Sequence, residues 1–168
     1  ASHLEESEAR RVVILRDVVE SCSALVQLAP NWASAWYVHG LALGRFSQNI
    51  SVVRALAQGL GGKVRESLQK AIDLEPGYAD AHVGLGVYHA EVIDKVGAMM
   101  AAFTYGARRE AVTEHFEAAR ALHPQSPVVL AEYARSTALA FGNLYQGRAH
   151  QIFAEAATRQ PADALERL

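Results

Sequence analysis

The chain has 168 residues, 51% of them hydrophobic and 20% charged, with five prolines and a formal net charge of −2. That balance gives one domain with a sizeable core rather than a disordered chain, and it lacks the basic excess of a nucleic-acid binder. A single cysteine, Cys22, excludes an internal disulfide, and no apolar run reaches the about 18 residues that a membrane-spanning helix needs.

Residues 1–7 are polar and read as a frayed segment ahead of a domain over 8–168. From Glu8 to Gln27, apolar residues recur at helical spacing: Val12, Leu15, Val18, Val19, Cys22, Leu25 and Val26. Pro30 stops that run, because proline lacks an amide hydrogen and disfavours helix at the residue before it. A helix follows from Ala33, with a partner ending at Pro76; another starts near Ala79, with a partner ending at Pro124. The last pair starts near Pro127, suited to a helix's first turn, and stops before Pro161. Strand alternation and two-residue hairpin turns are absent, so the reading is all-α.

One nine-residue pattern recurs. Leu68, Phe116 and Phe153 each stand eight residues before a proline, and Ala71, Ala119 and Ala156 stand five before it. A fainter copy ending at Pro30 puts Cys22 and Leu25 in those slots. Ten residues after successive prolines come Gly40, Gly86 and Ala134; six after come Trp36, His82 and Leu130. Small residues let two helices cross closely while large ones fill the flanking turns. Recurrent helix pairs of this kind stack, since none buries its apolar face alone.

This grammar resembles the tetratricopeptide repeat, over nearly the whole chain from about residue 10. The resemblance implies a TPR-like right-handed superhelix, an α-solenoid of about three and a half antiparallel helical hairpins. Pro30, Pro76, Pro124 and Pro161 are 46, 48 and 37 residues apart, against about 34 in a standard repeat. The excess falls in two similar inserts, Phe46 to Gly62 and Val92 to Gly106, which read as two extended hairpins taller on each arm. That form looks like the tetratricopeptide-like domain of the regulator of microtubule dynamics family, and more loosely like helical components of periplasmic transporter systems.

Nucleophile-elbow, phosphate-loop and zinc-protease signatures are missing, so neither an enzyme nor a cofactor is expected. His82 and His89 share a helix face, but a metal site would need His115 or Glu114 from a neighbouring helix; no metal is expected. Gly40 and Gly44 read as a flat face for close helix packing. In tetratricopeptide repeats the first helix of each hairpin lines the concave face. Carried over, that register selects Tyr37, Leu41 and Arg45, then Val83, Val87 and Glu91, then Arg135 as a partner-binding groove. Its apolar anchors and mixed charges suit an extended or helical peptide. The expectation is a non-enzymatic scaffold or adaptor for a protein or peptide partner. The alternative is a small apolar-ligand carrier or transporter accessory, with a pocket enclosed by the extended hairpins.

Met99, Met100 and Phe103 in the second insert read first as core of the taller hairpin, and second as an exposed apolar patch for a partner or lipid-like ligand. The chain opens on what reads as a second helix without its first. Its apolar face then implies either an upstream segment or a homodimer. With no leader sequence evident, the expected protein is soluble, in cytoplasm or periplasm, a choice the sequence does not make.

Overall fold

A computed structural model describes residues 2–161. Among them are nine α-helices and one 3₁₀ turn, with no strand. They group into two compact units that divide between Pro76 and Gly77.

In the first unit, α1 spans Ser2–Leu28, so helix begins at Ser2 rather than near Glu8. It ends two residues before Pro30, whose carbonyl accepts a 2.7 Å hydrogen bond from Trp36 Nε1. Helix α2 spans Ala33–Gln48, α3 Val52–Ala57 and α4 Leu60–Leu74. Helix α2 packs on both α1 and α4. The crossing with α4 is made at Gly40, where an added Cβ would sit 2.9 Å from Leu68 Cγ and 3.3 Å from Ser67 Cβ. Around it Leu43, Phe46, Val64, Leu68 and Ala71 form the core.

In the second unit, α5 spans Ala79–Val96, α6 Ala98–Tyr105, α7 Arg109–Leu122, α8 Pro127–Phe141 and α9 Gln146–Ala157. The 3₁₀ turn Gly142–Tyr145 joins the last two. Ser126 caps α8, its side chain accepting from the Val129 amide at 3.3 Å, with Pro127 in the first turn as its fixed φ favours. Helix α5 packs on α7 and α8, and α8 packs on α7 and α9. At Gly86 an added Cβ would lie 2.5 Å from the Phe116 ring. Phe116 in turn stacks on Tyr133, centroids 5.0 Å apart and planes at 7°.

The inserts correct the picture of hairpins lengthened equally on both arms. Much of the extra length forms separate short helices, α3 and α6, between the arms. Backbone geometry enforces the break: α6 lies between Gly97 at φ +79° and Gly106 at φ +62°, a region that costs L-residues with a Cβ roughly 1–2 kcal/mol.

Candidate partner-binding surfaces

On α2, Tyr37, Leu41 and Arg45 recur every four residues and so line one stripe. Tyr37 is half-buried, Leu41 is 43% exposed and Arg45 is exposed in the helix's last turn. Gly44 lies beside them, and a Cβ there would meet nothing within 4 Å. Only Gly40 of the Gly40/Gly44 pair is therefore a close-packing position; Gly44 leaves the stripe open.

In the second unit, Val83, Val87 and Glu91 form the corresponding stripe on α5, all half-buried. The packing of α5 on α8 adds Arg135, whose Nη1 lies 3.6 Å from Glu91 Oε1. Arg135 also contacts Glu132 Oε2 through Nη2 at 2.8 Å and Nε at 2.9 Å, while Lys95 Nζ stands 3.9 Å from Glu91. The charges on this face thus form one partly exposed network. Exposed pairs of this kind are worth about 0–1 kcal/mol each, so a charged partner can exchange for them at little cost.

The three histidines picked out on α5 and α7 do meet. His82 Nδ1 is 3.2 Å from His115 Nδ1, and the His89 and His115 rings stack at 5.7 Å and 10°. His89 Nδ1 accepts the Arg108 amide at 3.4 Å. These contacts make the trio a packed seam between α5 and α7; no group of three or more His, Cys, Asp or Glu among the described residues is arranged to hold a metal ion. Burial, reinforced by the charge of His82, pushes the His115 pKa down to about 4.

That depression has a pH consequence. Between pH 6.5 and 4 the unfolded chain binds a proton at His115 and the folded chain does not, so stability falls as pH falls. Stability from His115 is complete above pH 6.5. Allowing for solvent screening of a partly accessible ring, the loss by pH 4 is about 1–2 kcal/mol. Urea unfolding of wild type and His115→Gln across this window measures it: the wild-type slope should exceed that of the variant, and parallel curves would refute the assignment.

His39 joins the first unit's helices, its Nδ1 2.9 Å from Ser67 Oγ on α4 and its Nε2 3.2 Å from Ser23 Oγ on α1. Both hydroxyls are also placed to donate to their own helices, to Lys63 O at 2.8 Å and Val19 O at 2.7 Å. Burial, then the Lys63 charge, lowers the His39 pKa and favours a neutral ring with one N–H. The serine facing the other nitrogen must turn its hydrogen away from its helix.

Met99, Met100 and Phe103 are 88%, 54% and 92% exposed, which corrects the reading of them as hairpin core. Helix α6 turns Ala101 inward instead. Of the apolar stripe expected on α1, Val18 is 42% exposed and Val26 is buried; Val13 and Ile14, outside that stripe, are 46% and 55% exposed. No described helix is long and apolar enough to cross a membrane.

One cluster had no signal in the sequence. Tyr133 Oη donates to Glu117 Oε1 at 3.0 Å and accepts from Arg148 Nη2 at 2.9 Å, tying α7, α8 and α9 together. Its members sit in three helices, and no local spacing links them. No protein-family model matches the chain, and no curated protein matches it either.

Proposed function

We propose that the protein is a non-enzymatic scaffold of tetratricopeptide-like helical hairpins that binds a protein or peptide partner along its first-helix faces. The observation that carries this reading is the α5–α8 surface. There half-buried Val83 and Val87 run beside the exchangeable Glu91–Arg135 pair. Apolar side chains that are partly accessible can still bury area on binding, and neighbouring charges of both signs set register and orientation. The α2 stripe offers the same chemistry in the first unit, with Leu41 as anchor and Arg45 as its charge. A preformed helical surface spares the ordering cost on the protein's side.

The test is capture from native extract by wild type and by a Tyr37→Ala, Val87→Lys, Arg135→Glu triple variant of unchanged thermal stability. A partner held by wild type should bind the variant roughly a hundredfold more weakly. Equal capture by both, or capture by neither, would overturn the reading. The carrier alternative has less support, because Met99 and Phe103 face solvent rather than an enclosed pocket.

A further inference from the structure

The two short connecting helices both turn large apolar side chains outward. Helix α3 exposes Val52, Val53 and Leu56 at 49%, 77% and 44%, and α6 exposes Met99, Met100 and Phe103 at 88%, 54% and 92%. Helix α6 contains no charged residue. It is nevertheless firmly seated: Ala101 is fully buried, and Tyr88 Oη on α5 donates to the Tyr105 carbonyl at 3.2 Å. An uncharged helix is therefore held with its bulkiest apolar side chains pointing outward.

Charge completes the pattern. The chain carries 18 acidic residues, yet none falls within residues 21–65 or 95–109. The same stretches hold Arg45, Arg54, Lys63 and Arg65, and then Lys95, Arg108 and Arg109. These cations stand on α3 itself or at the helix ends that α3 and α6 connect. Arg45, Arg54, Lys63, Arg65 and Arg108 are all exposed, with no ion pair to another described residue. A protein of net charge −2 thus carries two apolar tips, one in each unit, whose connecting segments hold only cations, with Glu66, Asp94 and Glu110 standing just outside those segments.

We propose that each of these tips is by itself a docking element for an anionic lipid bilayer, Val53 in the first unit and Met99 and Phe103 in the second entering the boundary between headgroups and acyl chains while the neighbouring arginines and lysines contact lipid phosphates. An apolar surface with cations around it is the arrangement that interfacial helices use, and each cation near an anionic leaflet strengthens attachment severalfold. A lipid surface fits better than a protein partner. The outward face of α6 offers one polar side chain, Thr104, whose hydroxyl is already directed at Met100 Sδ at 3.1 Å. A protein interface centred there would lack hydrogen bonds at its core, whereas acyl chains need none. This surface shares Arg45 and Lys95 with the α2 and α5–α8 faces but none of their apolar anchors, and Met99, Phe103, Arg54 and Arg108 lie outside the proposed groove, so failure at those four positions would leave the scaffold reading intact.

Flotation of the full chain with vesicles of phosphatidylcholine, or of phosphatidylcholine mixed with phosphatidylserine, tests the proposal. Wild type should float with the mixed vesicles, stay behind with phosphatidylcholine alone, and be released as salt rises. Met99→Ser with Phe103→Ser should weaken attachment more than tenfold, and Arg54→Gln with Arg108→Gln roughly fivefold per charge removed. All four positions are exposed, so unchanged circular dichroism is expected of each variant. No flotation, or flotation that these substitutions leave unaltered, would overturn the proposal. So would capture of a protein by wild type without lipid that the Met99/Phe103 variant loses.

Discussion

Truncating Phe116 to alanine should cost about 3–5 kcal/mol, a large share of the stability of a domain this size. The ring is fully buried, stacks on Tyr133 at 5.0 Å, and fills the space that Gly86 leaves open. Removing it opens a cavity whose walls cannot close. Tyr133 is held in place by Glu117 and Arg148, and an empty volume bounded by fixed groups keeps nearly its whole penalty. Phe153 occupies the same slot of the repeat pattern but is 46% exposed. Its truncation should cost less than about 1.5 kcal/mol, since half the side chain has little transfer free energy to lose. Urea unfolding of the two variants side by side is the measurement. Equal losses would show that repeat position, not burial, sets the energetics.

The same comparison marks what the sequence made legible. Proline positions gave the ends of α1, α4 and α7 to within a residue or two, because the effect of proline on the preceding backbone is local. The small residues at Gly40 and Gly86 announced helix crossings, because the lack of a Cβ has one common use in mid-helix. The inserts were harder. Val96 to Phe103 is helix-compatible throughout, and composition cannot tell a taller arm from a separate helix. The φ of +79° at Gly97 decides it. Nor does apolar content say which way a short helix faces: α6 has one inward position to fill and Ala101 takes it, so methionine and phenylalanine turn outward. Of the candidate groove residues, the join between Glu91 and Arg135 depends on how α5 meets α8, and neither residue's neighbours in sequence carry that information. The Ser23–His39–Ser67 bridge is illegible for the same reason.

Replacing Gly86 with valine should destabilise the second unit by about 3 kcal/mol, although valine is no worse than glycine in an isolated helix. The first added carbon already lies 2.5 Å from one Phe116 ring carbon and 2.7 Å from another, well inside van der Waals contact. Either the ring or the α5 backbone must shift. The ring cannot swing freely, because its other face rests on Tyr133. Overpacking of this kind costs about 1–3 kcal/mol, and two γ carbons beyond the first place valine at the upper end. Gly44→Val supplies the opposite case: nothing lies within 4 Å of its Cβ, and the expected change is within about 0.5 kcal/mol. A double variant, Gly86→Val with Phe116→Leu, separates steric conflict from any backbone requirement. Shortening the ring to leucine makes room for valine, so the two losses should fall short of additivity by about 1–2 kcal/mol. Strict additivity would mean that Gly86 is needed for its backbone and that the close approach to Phe116 carries no energy of its own.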